Sequence, residues 1–346
     1  MVNQSNTVLR NTSRKARASN IELLRIFSML LVLLLHYVAT IPIDAHSLKI
    51  SLLDSLTIIE INSLSVVCVH CFILISGYFS IRWKPRSIIS LVYQVVFWLL
   101  VGIAIAYRFS LGISESWLDI IYKYFGSRWF VQAYICLYLL APLLNTFIDN
   151  CDVKKLGRYI LLFYMYSTVI GYICKSAEFN EGMSALSLIG LYMIGAYLRR
   201  TTICIFHFKP KTDLVVFLGL SVSLTFTRVI LLYLGITVSP IGYLNPIVII
   251  MSIYLFLFFQ KLKIKSIRWI NFVAASAFAV FLFHKHPLLY ETYQVVCKRI
   301  TQTEETIIYL PIFFLIIFIV SIMIDRVRIA SFNIIWKRLS NIFERH

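Results

Sequence analysis

The residues most able to do chemistry in this sequence are Arg25 and His36, eleven positions apart in its first apolar segment. Residues 20–38 read NIELLRIFSMLLVLLLHYV, a run typical of a membrane-spanning helix. At about 100° per residue, eleven steps bring both side chains to within about 20° of one direction, with Met29 and Val32 between them. Their heights differ by about 16 Å at 1.5 Å per residue. One helix face would therefore carry a fixed cation near one membrane surface and an imidazole, suited to general-base or nucleophilic work, well inside.

Each of these two residues also has a purely structural interpretation. Arg25 could extend its long side chain to the interface, and His36 could end the helix at the opposite surface. Ionisable side chains inside a bilayer are nevertheless costly, and they usually face a cavity or a partner. Their common face therefore favours a functional pair.

The composition indicates a polytopic membrane protein. The chain has 346 residues, of which 60% are hydrophobic and only 14% charged, with a mean hydropathy of +0.82. A net charge of +17 would suggest nucleic acid on a soluble protein, but here the charges lie in short loops between apolar runs, which favours membrane orientation and argues against a nucleic-acid partner. Cys68 and Cys71 resemble half of a metal site, yet no second ligand pair follows, so no metal is predicted.

Apolar windows of about 20 residues predict an all-α fold with about ten transmembrane helices. The expected spans are 21–40, 56–79, 88–109, 129–148, 158–174, 183–198, 213–234, 241–260, 270–290 and 305–325. With both termini in the cytoplasm, 23 Lys and Arg residues fall on the inner side and 7 on the outer side, which supports this orientation. The chain then divides into a disordered basic tail at 1–19, a membrane domain at 20–328 and an amphipathic cytoplasmic tail at 329–346.

Four further stretches extend the pattern of the first helix. They are VHCFILISGYFS at 69–80, SRWFVQAYICLYLLAP at 127–142, LYMIGAYL at 191–198 and AFAVFLFHKHP at 277–287. Together with an Arg, ten residues and a His in the first helix, they resemble, in order, the segments of the membrane acyltransferase-3 family. The sequence departs from the family pattern in two ways: alanines replace Ser and Gly in the last stretch, and His70 stands where a smaller or amide residue is expected.

The resemblance implies an enzyme that transfers acyl groups, usually acetyl, from cytoplasmic acyl-CoA to sugar hydroxyls of surface glycans. Such a transfer needs a base that takes the hydroxyl proton, or an imidazole that carries the acyl group itself, and His36 fits either role. Arg25 would bind the donor and support the reaction electrostatically. His284, which matches the late histidine of the family, would position the acceptor or assist His36, although it could equally be an interfacial anchor.

Four cations are candidates for holding the phosphates of coenzyme A. Arg82, Lys84 and Arg86 follow the second span on the inner side, and Arg25 lies near the same level. For the three loop residues, a role in membrane orientation alone is the competing interpretation.

Three other residues are candidates for contacting the substrate. Glu60 lies near the outer start of the second span and could also orient His36. Arg228 lies within the seventh span and needs a partner, which could be an anionic lipid carrier or the donor. Trp129, with Tyr134, could stack on a sugar, although an aromatic interface belt is the favoured interpretation.

The sequence therefore predicts an acyltransferase of the bacterial inner membrane, with acetyl-CoA or another acyl-CoA as co-substrate and a glycan or lipid-linked sugar as acceptor. A lipid-linked glycan transporter or polymerase is the alternative, since such proteins are also polytopic and basic. A membrane scaffold without enzymatic activity is a third interpretation, but it would leave Arg25, His36 and Arg228 without a use.

Overall fold

The computed structural model describes residues 18–111, 116–236 and 238–343, and every regular element within these ranges is helical. The predicted tail at 1–19 lies outside the described residues up to residue 17, and Ser19 already begins the first helix. The α-helices are α1 (Ser19–Val38), α2 (Ala45–Ile50), α3 (Leu52–Ser65), α4 (Cys68–Phe79), α5 (Pro85–Arg108), α6 (Trp117–Gly126), α7 (Trp129–Asn150), α8 (Val153–Tyr166), α9 (Ala185–Arg200), α10 (Pro210–Tyr233), α11 (Pro246–Lys261), α12 (Arg268–Ala274), α13 (Ala277–His284), α14 (Pro287–Thr301) and α15 (Thr306–Phe343). A π-helical turn, Ser167–Ile173, continues α8, and two 3-10 turns, Asn180–Gly182 and Cys204–Phe206, lie in loops.

Helix starts follow from local chemistry. Four helices begin with a proline, whose fixed φ and missing N–H suit the first helical position; these are Pro85, Pro210, Pro246 and Pro287. Other starts are capped by a side-chain oxygen that accepts a backbone N–H, as Asp152 does for Lys154 and Lys155. Prolines and capping side chains therefore mark where these helices begin.

Each of the ten predicted spans falls on helical structure, and the all-α polytopic fold is confirmed. Among the described residues, seven helices are long and apolar enough to cross a membrane, and the bent pair formed by α12–α13 and α14 makes an eighth if it is counted as one span. Helices α9 and α11 have 16 residues each, which at 1.5 Å per residue is about 24 Å, less than the roughly 30 Å of a hydrocarbon core.

The first and last helices meet at one end of the bundle, here called the Ser19 end; the opposite end, where α1 finishes, is called the Val38 end. The hydroxyl of Ser19 donates to Asn271 of α12, 3.0 Å away. Arg326 of α15 donates to the carbonyl of Phe272, the next residue of α12. Both ends of the described chain are therefore on one side of the bundle, and the assignment of that side to the cytoplasm stays a prediction.

Helix α15 is longer than a membrane requires. Its 38 residues extend about 57 Å, and the helix continues past residue 328 without a break. The segment predicted as a separate amphipathic tail is thus, as far as Phe343, a continuation of the last span. It packs on α5, where the Tyr93 hydroxyl lies 2.9 Å from the Ser331 hydroxyl and Arg86 lies over the ring of Trp336.

Three basic residues that the sequence assigns to loops are instead part of the packed protein. Arg328 forms two 2.9 Å contacts with the buried Asp325 one turn earlier. Lys261 lies 2.6 Å from the buried carboxylate of Asp213. Arg128 is only 1% exposed. These charges serve packing and pairing in addition to any effect on orientation.

Two of the recognised sequence stretches meet at a close helix crossing. A Cβ atom added to Gly77 in α4 would collide with the backbone carbonyl of Tyr192 in α9, and one added to Gly195 would collide with the carbonyl of Leu74. Small residues allow helix backbones to approach in a membrane, where packing replaces the hydrophobic effect as the driving force. The glycines of the 69–80 and 191–198 stretches are therefore explained by packing.

Candidate active site

Two histidines from distant parts of the chain form a hydrogen-bonded pair. His36 is in the last turn of α1 and His284 ends α13, and His36 Nδ1 lies 2.9 Å from His284 Nε2. The other ring nitrogen of His284, Nδ1, lies 2.6 Å from the Val280 carbonyl, which can only accept. In the neutral pair, His284 therefore carries its proton on Nδ1 and accepts from His36 Nδ1. This leaves His36 Nε2 with a lone pair, as a base or nucleophile requires.

Tyrosines of α14 hold this pair from the side. The bent pair turns by 89° after His284, which carries α14 across the end of α1. Tyr293 lies 5.2 Å from the His284 ring and donates a 2.7 Å hydrogen bond to the carbonyl of Leu33. The ring of Tyr290 meets His36 edge-on at 5.9 Å. No role for these tyrosines was predicted from the sequence, although their spacing of three residues places them on one face of α14.

A cavity of about 360 Å³ follows the face of α1 that the spacing predicted. Arg25, Met29, Val32 and His36 all line it, so the prediction that these four share one face is confirmed. Most of the remaining lining is apolar, with Phe130, Phe72, Phe278 and Phe281 among its members. We call this space the Arg25 cavity.

Two helix breaks border the Arg25 cavity. Cys68 and Val69, at the start of α4, line one side, and Ala274, Ala275 and Ala277, around the start of α13, line another. Non-helical backbone at membrane depth is tolerated where it is buried in protein or lines a cavity. The small alanines leave the space open, so the departure of the last stretch from the family pattern does not close the cavity.

A second cavity, of about 470 Å³, lies toward the Val38 end and is called the Arg228 cavity. Its polar lining is Arg228, Lys285, Asn62, Ser127 and Ser239. Leu35, His36, Trp129 and Tyr243 line both cavities. His36 is therefore exposed to two spaces, one extending toward Arg25 and the other toward Arg228.

Arg25 retains donors for a ligand. Its guanidinium lies 3.7 Å from the carboxylate of the mostly buried Glu22, which is beyond a normal hydrogen-bond length. The Arg25 side chain is 39% exposed and lines its cavity. A cation with five N–H groups and one nearby carboxylate can hold an anionic group at the Ser19 end.

The three loop cations are not brought to Arg25. The side chains of Arg82 and Lys84 are exposed, and the hydroxyl of Tyr138 donates to their backbone carbonyls. Arg86 donates to Asn333 of α15 at 3.0 Å. None of the three lines the Arg25 cavity, so the structure provides one of the four predicted phosphate-binding cations at that site.

Glu60 does not orient His36. Its two carboxylate oxygens accept hydrogen bonds from Ser221 and Thr225 of α10, each at 2.6 Å, and it lines neither the Arg25 nor the Arg228 cavity. The expectation failed because Glu60 lies on the side of α3 that packs against α10, which the sequence does not reveal. The neighbouring polar residue Asn62 lines the Arg228 cavity instead.

The other two substrate candidates do line cavities. Arg228 lines the cavity named after it and donates to the carbonyl of Val238 at 3.0 Å. Trp129 lines both cavities and contacts Tyr243, with ring centres 5.9 Å apart. Both residues therefore line a cavity that His36 also lines.

A buried polar network supports the wall of the Arg25 cavity. Gln94 of α5 lines the cavity and donates to Asp325 at 3.1 Å, and Asp325 is paired with Arg328. No role for Gln94 or Asp325 was predicted from the sequence. An acidic residue three positions before an arginine in an apolar helix was the available signal for this network.

Comparison with known protein families gives a match over most of the chain. The sequence profile of the acyltransferase-3 family, described as an acyltransferase domain, matches residues 19–326. The match covers α1, which carries Arg25 and His36, and extends through α14 into α15. No curated protein and no solved structure matches the chain.

Proposed function

The chain belongs to the acyltransferase-3 family, and from this membership we propose that it moves an acyl group, expected to be acetyl, from acyl-CoA to a hydroxyl of a sugar. The acceptor would be a cell-surface glycan or its lipid-linked precursor, and the location the bacterial inner membrane. The observation that carries the proposal is the position of His36, which lines two cavities and has the tautomer of a base.

The Arg25 cavity suits the acyl end of the donor. Its volume of about 360 Å³ and its aromatic lining would accept an acyl-pantetheine chain. The charged nucleotide part of coenzyme A would stay at the Ser19 end, where Arg25 would meet a phosphate with its planar fork. The thioester would then approach His36 from one cavity, while the sugar hydroxyl enters from the other.

In the general-base form of the reaction, the oxygen of the sugar hydroxyl attacks the thioester carbonyl while His36 Nε2 takes the hydroxyl proton. The carbon–sulfur bond breaks, and the coenzyme A thiolate leaves and recovers the proton from the imidazolium. In the acyl-carrier form, Nε2 attacks the thioester carbonyl first, the carbon–sulfur bond breaks and the coenzyme A thiolate leaves. The sugar oxygen then attacks the acyl-imidazolium, Nε2 is released, and the hydroxyl proton passes to the thiolate. Both forms use the same lone pair.

His284 acts through His36 in either form. The Val280 carbonyl fixes the proton of His284 on Nδ1, so His284 Nε2 remains an acceptor. The 2.9 Å hydrogen bond from His36 Nδ1 then holds the imidazole in orientation and stabilises the positive charge that develops on it. His284 is thus proposed as a positioning residue.

The direct test has two parts. Purified protein in lipid nanodiscs should release free coenzyme A from acetyl-CoA when an acceptor sugar is present. Mass spectrometry of surface glycan from a deletion strain should show the loss of one acetyl mass, with its return on complementation. A transporter or polymerase would change glycan amount or length and leave acetyl-CoA intact, which separates the alternative from this proposal.

A further inference from the structure

The Arg228 cavity contains two cationic side chains and, among the described residues that line it, no acidic one. Arg228 comes from α10, and Lys285 follows directly after His284. Both side chains carry positive charge and N–H donors, so an anionic ligand in this cavity could pair with them.

Membrane orientation does not explain these two charges. In the predicted topology the Val38 end faces outward, and outer loops carry few basic residues. A cation in a span or at its outer end works against the positive-inside bias instead of contributing to it. Their position beside one cavity is instead consistent with binding a ligand that carries negative charge.

The remaining lining suits a sugar. Trp129 and Tyr243 present aromatic rings, with centres 5.9 Å apart, on which a sugar ring can lie. Asn62, Ser127 and Ser239 add amide and hydroxyl groups that can bond to sugar hydroxyls. The cavity therefore combines features for a carbohydrate with features for an anion.

The position of Lys285 limits where the negative charge can lie. Its ammonium lies 3.5 Å from the centre of the Tyr290 ring, and that ring meets His36 edge-on at 5.9 Å. The Lys285 ammonium and the His36 imidazole thus contact the same aromatic ring, that of Tyr290. A hydroxyl at His36 and an anionic group at Lys285 would lie on the same sugar or on neighbouring sugars.

We infer that the acceptor is an anionic glycan, whose carboxylate or phosphate group binds Arg228 and Lys285 while the hydroxyl to be acylated lies at His36. This inference rests on the proposed function and adds the substrate class. The planar guanidinium of Arg228 can pair with either kind of anion through two hydrogen bonds, and Lys285 adds a point charge. No covalent step beyond the proposed acyl transfer is involved.

Binding of matched sugars to the full chain tests the inference independently of catalysis. The protein is placed in nanodiscs of phosphatidylcholine, which has no net charge, and titrated calorimetrically with pairs of oligosaccharides. One pair differs by glucuronate in place of glucose, and the other by a phosphate on one hydroxyl. We expect each anionic member to bind about tenfold or more tightly than its neutral counterpart, with the preference falling as salt is added.

Variants identify the residues responsible. Lys285→Gln, between α13 and α14, and Arg228→Gln, in α10, should each lower the affinity for the anionic sugar more than the affinity for its neutral counterpart. Lys154→Gln, which removes one exposed charge at the start of α8, is the matched control and should retain the full preference. The oligosaccharide pair with the larger difference in affinity shows whether the site prefers a carboxylate or a phosphate.

Several outcomes would overturn the inference. Equal binding of the charged and neutral members, absence of binding by any anionic sugar, or a full preference in the Lys285→Gln, Arg228→Gln double variant would each do so. Release of coenzyme A is measured in parallel on the same preparations. A preserved anion preference without such release would contradict the proposed function alone, and release without anion preference would contradict only the inference.

Discussion

His36 Nδ1 and His284 Nε2 face each other at 2.9 Å, and the direction of the hydrogen bond between them is set by the other contact of His284, with the carbonyl of Val280. The carbonyl of Val280 accepts a hydrogen bond from His284 Nδ1–H, so His36 must donate to His284 when both rings are neutral. The lone pair of His36 Nε2 is a consequence of this chain of contacts. The position of the proton on His36 thus depends on the carbonyl of Val280, which lies more than 240 residues away in sequence.

The first prediction concerns topology. The charge bias predicts that the start of α8 and the loop before α10 lie on the side of the Ser19 end, where both ends of the described chain are found. Reporter fusions at Lys154 and Lys209 should therefore report the cytoplasm, and a fusion at Lys175 should report the outside. A cytoplasmic signal at Lys175 would show that α8 and its π-helical continuation do not cross the membrane.

The second prediction concerns packing between α4 and α9. In Gly77→Ala, the added methyl group would meet the backbone carbonyl of Tyr192, which cannot move without displacing α9. Overpacking of this kind costs about 1–3 kcal/mol, so we expect a lower midpoint of thermal unfolding in detergent. Gly219→Ala is the control, because its added Cβ would have no neighbour within 4 Å. Equal midpoints for the two variants would show that the crossing can relax.

Helix geometry made part of the site predictable. The face shared by Arg25, Met29, Val32 and His36 depends only on a period of 3.6 residues, so the sequence was sufficient. The assistance of His284 was expected from the family resemblance, whereas its hydrogen bond to His36 depends on how α13 packs on α1.

The expectations that failed depend on tertiary packing. A carboxylate such as Glu60 can face any neighbouring helix, and here Ser221 and Thr225 of α10 satisfy it. Arg86 was predicted in the loop after the second span, but it lies in the first turn of α5 and donates to Asn333 of α15. The sequence also does not show that the chain turns by 89° between His284 and Pro287. Side-chain direction around a bend is set by contacts between elements distant in sequence.

The third prediction concerns the donor. Arg25→Lys keeps the charge but loses the planar fork, so the affinity for acyl-CoA should fall by about tenfold, and Arg25→Ala should cost at least as much. Equilibrium binding of acetyl-CoA to protein in nanodiscs measures the effect. Arg82→Gln removes an exposed cation that does not line the Arg25 cavity, and it should bind the donor normally. Unchanged binding by Arg25→Ala would make Arg25 a structural residue only.

The fourth prediction separates the positioning role of His284 from simple packing. In His284→Gln, the side-chain amide oxygen can still accept from His36 Nδ1, whereas in His284→Leu nothing can. Both variants are buried and similar in size, so their stabilities should be compared first by thermal unfolding. We expect His284→Gln to retain more acyl transfer than His284→Leu, with a difference in kcat and little change in the KM for acetyl-CoA. Equal kcat values in two stable variants would exclude a role through the hydrogen bond.

The last prediction concerns His36, which distinguishes an acyltransferase from every other interpretation. The residue lies about 22 Å along α1 from Ile21 at 1.5 Å per residue, too deep for a short imidazole to reach the interface at the Ser19 end. A general base contributes roughly 100- to 10,000-fold to a rate, and the loss of an acyl carrier should cost at least as much. Asn is close to His in polarity but cannot accept a proton near neutral pH. We expect His36→Asn protein to insert and accumulate normally while the glycan stays unacylated, with a smaller loss in His284→Gln. Full acylation of the glycan by His36→Asn at matched expression would remove His36 from the chemistry and leave the two cavities without a common catalytic group.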